Sequence, residues 1–580
     1  MLLGLFLISI SVTSFANEYQ LKFSVTGVKD EPNANVISVL KNQQGLLTYP
    51  LTIAEVHRFY DLAPKAIEKA LQPYGYFKPT LISTITENNG NWLTNFAISP
   101  GPRMYVTSLD IRVSGPGQND PEFLKLVRDF PVKLNTPLNI NLYDAAKNDL
   151  FKIASTRGYF TAKISTSRVI IDLNTYQAKI IIHFSTGERF RFGETHFNPS
   201  PFALSFLQRF QTYHSGEYYD YAKLQRTQQY FVTSNYFTQT LVTPDLDAAK
   251  QKIVPIEIHL IPQKSEQFIY GLGYGTDTGV RGTVGINLRR LNQYGHHLNF
   301  LSQLSTSSNE SITANYYIPG KNPARDQYIL SAGVGHIEIK NHGGDIKSTN
   351  GKLSAGYSTY LGEVQQTLAL TYLNERYIIP NFNLPYINSN ALYPSGTWQY
   401  ISTDKTFQPT RGISLYGIIS YAPWKEITGL TFFQARFRVR TLFTVFHNTR
   451  ILMRADVGHT SISDLTQLPL SLQLLAGGAN SIRGFSFDSI GPGKNLIVGS
   501  AEIQQRIKGD WYIGAFIDAG TVTNTAPIQN PYYFLKSLNA GAGPALIWVS
   551  PVGTLEASIA RSVNSHQKGW HFAFSMGQDL

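Results

Sequence analysis

The chain has 580 residues, 13% of them aromatic and only 15% charged, with 33 tyrosines and 34 phenylalanines against six tryptophans. That length exceeds one ordinary domain, and the balance suits strands with aromatic girdles better than helices. The absence of cysteine excludes a disulfide framework, a thiolate metal site and a cysteine nucleophile, while the +11 charge contains no basic run interleaved with aromatics and so carries no nucleic-acid footprint.

Residues 1–16 form an apolar run that ends in Ser14-Phe15-Ala16, a small-x-small site ahead of Asn17. This reads as a signal peptide; a short membrane anchor is the alternative, and no Lys or Arg precedes the apolar core, which leaves the true start codon open. Beyond it no apolar stretch approaches the 18 residues a spanning helix needs.

An internal repeat follows. Tyr74-Gly75-Tyr76-Phe77, Arg157-Gly158-Tyr159-Phe160 and Ser234-Asn235-Tyr236-Phe237 recur about 80 residues apart, each at the end of a helical pattern. Gly or Asn at a helix exit supplies the left-handed residue that reverses the chain, and the Tyr-Phe pair is expected to start the next strand. Tyr143-Asp144 and Tyr219-Asp220 are expected to open the long helices of the second and third copies. Alternating strands at 19–28, 103–113 and 188–197 precede each helix pair. The shorter helices of copies two and three carry proline near the first turn, at Asp120-Pro121 and Ser200-Pro201. Two strands close each unit, as at Lys163–Asp172 and Gln177–Ser185, so the order is β-α-α-β-β. Sheet edges in such units can accept an extended segment by strand addition.

From residue 264 the pattern changes to strands of about ten residues between Gly, Asn, Asp and Pro clusters. Residues 264–580, at about 20 residues per strand and connection, hold about 16 strands. In residues 433–441 the apolar set Phe433, Ala435, Phe437 and Val439 alternates with Gln434, Arg436, Arg438 and Arg440. Each arginine at mid-depth in lipid costs about 2–4 kcal/mol, so Arg436, Arg438 and Arg440 line the lumen. In the last segment Trp570, Phe572, Phe574 and Met576 point outward, and Gly577 ends it. The first strand, about Gln267–Thr276, carries Gly271, Gly273 and Gly275, which remove side-chain packing. Those glycines mark either a weakened seam with the last strand or ordinary barrel curvature and aromatic-glycine pairing.

The longest connection, about 461–493, lies between an eleventh strand (Arg450–Gly458) and a twelfth (Asn495–Arg506). It holds Gly477-Gly478-Ala479-Asn480-Ser481-Ile482-Arg483-Gly484-Phe485. Arg483 has no carboxylate within four residues, and Asp518 lies in an otherwise membrane-like run, Gly514–Gly520. A lone charge in a low-dielectric wall is costly, so the two are candidates to meet inside the barrel.

These residues resemble the signature pair of the BamA/TamA superfamily of outer-membrane assembly and secretion barrels. The resemblance implies that Arg483, Gly484 and Phe485 form the tip of a sixth extracellular loop folded into the lumen. It also implies that this tip contacts Phe516, Asp518 and Gly520 on the wall, a loop-to-wall brace. Thr410-Arg411-Gly412, Gly541-Ala542-Gly543 and Ser550-Pro551-Val552-Gly553 are similar to further family elements. The β-α-α-β-β units resemble the POTRA modules of that superfamily. The implied layout is a signal peptide at 1–16, POTRA-like units at 17–100, 101–187 and 188–263, and a 16-stranded antiparallel transmembrane β-barrel at 264–580. Three units and the ending Gly577-Gln578-Asp579-Leu580 are similar to the TamA branch. The usual aromatic terminus is missing.

No enzyme constellation stands out. His296-His297 point to opposite faces of a strand, and Gly271-Leu272-Gly273-Tyr274-Gly275 lacks the helix a phosphate loop needs. The expectation is a non-enzyme with no metal and no cofactor, seated in the outer membrane with its amino-terminal units in the periplasm. The resemblance implies an assembly factor for nascent outer-membrane and autotransporter clients, in contact with the lipid bilayer and lipopolysaccharide. It also implies a TamB-like partner anchored in the inner membrane. A two-partner-type secretion pore exporting one exoprotein through the lumen is the alternative, and a passive porin, with no use for three modules, the third.

Overall fold

A computed structural model describes residues 20–48, 51–275, 279–305, 309–339, 345–378, 386–405, 408–446, 448–525, 532, 536–550, 553–563 and 569–577. The signal-peptide reading at 1–16, Thr276, Pro551-Val552 and the last three residues lie outside the described residues.

The amino-terminal region opens with β1 (Gln20–Thr26), α1 (Asp30–Gly45), α2 (Ile53–Leu71), β2 (Thr80–Asn88) and β3 (Asn91–Ser99). In α2 the side chains of Val56, Phe59, Ala63, Ile67 and Ala70 recur every three or four residues and are buried against Leu21, Phe96 and Ile98 of the sheet. Thr52 Oγ1 accepts the Glu55 N–H at 3.2 Å and starts that helix. The next unit repeats the order with β4 (Tyr105–Ser114), α3 (Pro121–Arg128), α4 (Ile140–Arg157), β5 (Lys163–Asp172) and β6 (Gln177–Ser185). A third run comprises β7 (Arg191–Phe197), α5 (Leu204–Leu207), α6 (Tyr221–Thr233), β8 (Phe237–Pro244) and β9 (Ile253–Pro262). Each gives a three-stranded sheet, in the orders β1-β3-β2, β4-β6-β5 and β7-β9-β8. The last strand of each run takes the centre of its sheet, and its side chains are the most deeply buried, as at Ile180, Ile182 and Phe184.

Three local expectations need correction. The Tyr-Phe pair starts a strand only at Phe237; after Phe77 and Phe160 the strands begin three residues later. Tyr143-Asp144 lies one turn inside α4, because Asn139 is the cap, its Oδ1 accepting the Asn141 N–H at 3.0 Å. Pro201 precedes its helix by three residues, since Ala203 stays extended and donates its N–H to the Gln293 carbonyl at 2.9 Å.

The Gly/Asn-Tyr-Phe repeats have a common geometry. Gly75 and Gly158 sit at φ +88° and +85°, and Asn235 at +61°. The Gly75 carbonyl accepts the Met104 N–H (2.9 Å), the Gly158 carbonyl that of Phe190 (2.8 Å) and the Tyr236 carbonyl that of Gln263 (2.8 Å). Arg103 Nε donates to the Tyr74 carbonyl (2.8 Å), and Arg189 Nε to that of Arg157 (2.9 Å). The repeat thus closes its own helix and holds the segment that leads into the next run of elements.

The remaining chain forms one 16-stranded antiparallel sheet, from the first strand (Glu266–Gly275) to the sixteenth (Trp570–Gly577), each strand paired with the one before it. The eleventh strand is Thr449–Ser461, the twelfth Asn495–Lys508, the thirteenth Trp511–Thr523, the fourteenth Asn539–Ser550 and the fifteenth Gly553–Ser562. Registers such as Arg436↔Gly458 and Arg438↔Asp456 carry the inward face from strand to strand, since residues in register share a face. The ladder runs unbroken from first strand to last. Among the described residues no ladder joins the last strand to the first, although the two lie side by side.

Candidate functional site

The eleventh-to-twelfth connection is built as a plug against the inner wall. Two short 3-10 turns (Leu465–Gln467 and Leu470–Leu472) lead into a small antiparallel pair, Leu474–Ala476 with Ile490–Gly493. The buried Glu375 of the seventh strand accepts the Ser471 N–H (3.1 Å) and hydroxyl (2.5 Å). Tyr377 OH donates to the Leu468 carbonyl at 3.2 Å, and Gln434 Nε2 to the Leu472 carbonyl at 2.7 Å. Side chains on one wall therefore satisfy backbone groups that burial would otherwise leave unpaired.

The tip packs on the twelfth, thirteenth and fifteenth strands. Arg483, 2% exposed, and Asp518, 0% exposed, form a fork: Nε to Oδ2 at 2.7 Å and Nη2 to Oδ1 at 2.9 Å, with the Arg483 backbone N–H on Oδ2 at 2.9 Å. Nη1 reaches Glu502 Oε2 (2.6 Å) and Glu556 Oε1 (2.7 Å). Ser500 Oγ donates to Asp518 Oδ1 at 2.6 Å, and Arg454 Nη2 stands 3.5 Å from the same oxygen. The guanidinium carbon lies 3.4 Å from the centre of the Phe516 ring, a cation–π contact. Three carboxylates and a ring face thus surround one arginine. A planar five-donor fork can satisfy such a set, and an ammonium cannot.

Glycines make room for the backbone. A Cβ on Gly541 would stand 1.8 Å from the Arg483 carbonyl oxygen, one on Gly520 2.5 Å from that of Ile497, and Gly484 itself sits at φ +96°. Phe485 fills a pocket of Leu474, Ala476, Ile482, Leu496 and Val498.

The structure brings Arg483, Gly484, Phe485, Phe516 and Asp518 into one cluster, with Gly520 lining the path of the twelfth strand. Arg436 makes a fork to Asp456 (2.9 and 2.6 Å), and Arg438 shares that carboxylate at 3.2 Å and lies over Tyr416. Arg440 lines a cavity of about 90 Å³ together with Arg454, Arg483, Glu502 and Glu556. Gly271 and Gly273 share the face opposite Phe268, Tyr270, Leu272 and Tyr274. A Cβ at 273 would meet nothing within 4 Å, and at 271 only Thr283, so crowding does not require glycine there. Trp570, Phe572 and Phe574 lie on the outward face of the last strand, and Gly577 pairs with Thr554.

Sequence reasoning missed Glu502, Glu556, Ser500 and Arg454. A signal was there: Ser500-Glu502-Gln504 and Thr554-Glu556-Ser558 alternate with apolar residues and so face the lumen.

A nearly closed series of membrane-length strands with apolar outer faces, a polar interior plugged by one loop, and β-α-α-β-β units ahead of it defines an outer-membrane transport or assembly barrel. Residues 271–580 match the Omp85 superfamily domain, and residues 22–100 match the POTRA domain designated TamA domain 1. The chain belongs to the Omp85 superfamily, and its amino-terminal domains lie in the periplasm. Its fold is similar to that of BamA from Haemophilus ducreyi lacking POTRA domains 1–3, at 18% identity, TM-score 0.65, over 81% of this chain and 99% of that one. CdiB from Escherichia coli aligns at 16% identity, TM-score 0.49, over 95% and 99% of the two chains. CdiB from Acinetobacter baumannii aligns at 14% identity, TM-score 0.47, over the same shares.

Proposed function

We propose that this chain is a TamA-like assembly factor. It would present the free edges of its first and last strands to nascent outer-membrane proteins, autotransporters among them, and insert them sideways into the bilayer. The observation that carries this reading is that, among the described residues, no ladder joins those two strands, in a sheet where every other neighbouring pair is hydrogen-bonded. An unpaired edge leaves backbone N–H and C=O groups able to accept a client strand.

In this proposal residues 17–100, 101–187 and 188–263 are three periplasmic modules and residues 264–580 the barrel. Residues 1–16 are a cleaved leader, no catalytic centre is involved, and lipid and lipopolysaccharide surround the outer face. Arg483, Gly484 and Phe485 brace the sixth extracellular loop on Phe516, Asp518 and Gly520. Gly271, Gly273, Gly275, Trp570, Phe572, Phe574 and Gly577 form the seam. The match of residues 22–100 to a TamA-type module supports a large inner-membrane-anchored, TamB-like partner. A second reading, export of one secreted protein through the lumen, draws on the inward Arg436, Arg438 and Arg440.

A photo-crosslinking residue at Tyr270, and separately at Arg438, tests the two in living cells. Adducts from Tyr270 to other barrel proteins support the assembly factor. Adducts confined to Arg438 and one secreted protein would replace it with the export pore.

A further inference from the structure

We propose that Glu556 is a positioning residue that ties the loop tip to the free edge of the sheet. The inference rests on the seam reading above and adds to it a mechanical link between loop and seam. Of the three carboxylates around Arg483, Glu502 is on the twelfth strand and Asp518 on the thirteenth, both well inside the wall. Glu556 alone is on the fifteenth strand, the only hydrogen-bonded neighbour of the last strand among the described residues. Its register partner there is Ser575, which lines the same cavity of about 90 Å³ as Arg483 and Glu556.

The tip approaches the fifteenth strand a second time. The position a Cβ would take on Gly484 lies 3.4 Å from the Ser562 nitrogen and 3.5 Å from the Ala560 Cβ. The fourteenth strand intervenes, and its Gly541 lets the Arg483 carbonyl pass. The tip therefore bridges from the thirteenth to the fifteenth strand, across the fourteenth. Among the described residues the last strand is hydrogen-bonded on one side alone, to the fifteenth, which therefore positions its edge. The bond from Nη1 to Glu556, 2.7 Å long with the carboxylate side chain 19% exposed, is charge-assisted and largely shielded.

Glu502 supplies the control, because it takes the same nitrogen at 2.6 Å from a strand remote from the edge. E556Q and E502Q each remove one carboxylate charge from Nη1 and leave the Asp518 fork intact. They differ in which strand is released.

The experiment is amide hydrogen exchange on the purified full chain in lipid nanodiscs. If the tether operates, E556Q speeds exchange across residues 570–577 by about tenfold or more, the factor matching one charge-assisted hydrogen bond, and E502Q changes it by less than about twofold. Exchange at 570–577 that is unchanged in E556Q, or equally raised in both variants, overturns the proposal. If E556Q yields no inserted barrel, the shorter acid in E556D is read by the same criteria against E502Q. Exchange reports the link without a client. An intact pattern combined with no Tyr270 adducts would remove the assembly reading and leave the tether standing.

Discussion

Replacing Arg483 with alanine isolates the energetic core of the brace. In the native chain the guanidinium donates twice to Asp518 and once each to Glu502 and Glu556. Its removal leaves three carboxylates facing one another, with Arg454 as the nearest cation, 3.5 Å from Asp518. Breaking one side of a buried pair costs about 3–5 kcal/mol. The upper end applies, because Asp518 is fully buried and three like charges remain. D518N should fall near the lower end, since Arg483 keeps two carboxylates. Because Phe485 still fills its apolar pocket, the loop should loosen before the barrel does. At about 1.4 kcal/mol per decade, a loss of 3 kcal/mol raises the undocked population about a hundredfold. Chymotrypsin cutting at Phe485 reads this population directly when closing is fast. G541A is the charge-neutral control: it keeps every ion pair partner, yet its Cβ would meet the Arg483 carbonyl at 1.8 Å, so it should expose the same bond. Cleavage at Phe485 within about twofold of wild type in R483A, with the barrel inserted, would refute the reasoning, as would protection retained in G541A.

Two further expectations concern the periplasmic region. In G158A the new methyl would lie 2.7 Å from the Tyr219 Cβ at a φ of +85°; strain and overpacking together predict a loss of about 2–4 kcal/mol, read as faster amide exchange at Phe190, whose N–H donates to the Gly158 carbonyl. The Glu217 carboxyl is drawn down to about 2 by hydrogen bonds from Lys223 at 2.6 Å and His214 at 3.1 Å. A depressed carboxyl contributes its stability fully above its ordinary value near 4.5 and loses it as pH falls toward 2. Proteolytic resistance around residues 213–225 should therefore drop between pH 4.5 and pH 2 in the wild type, and E217Q should flatten that drop.

Much of this protein was legible from one period. Alternation every two residues placed Arg436, Arg438 and Arg440 inward and Trp570, Phe572 and Phe574 outward, because a strand offers only two faces and lipid rejects charge on one of them. Gly75, Gly158 and Asn235 were readable as helix exits, since few residues adopt a left-handed conformation without strain. Arg483 and Asp518 were readable as partners, since each was a charge without a local counter-charge. The helix start of the second repeat was misplaced, because a cap depends on which polar residue first turns its side chain back onto the backbone, and Asn139 does so ahead of Tyr143.

Tertiary structure alone decided the rest. Whether Glu502 or Glu556 reaches Arg483 depends on the stagger of neighbouring strands, which sets the height of each lumen-facing residue and is invisible in a period of two. The anchoring of the loop on Glu375 and Tyr377 joins residues about ninety positions apart through backbone carbonyls and amides that have no sequence signature. Whether the first and last strands pair is also a property of backbone placement. The glycines at 271 and 273 permit an open edge and permit a closed one equally well, and only the placement of the first and last strands, which share no ladder among the described residues, bears on which is formed.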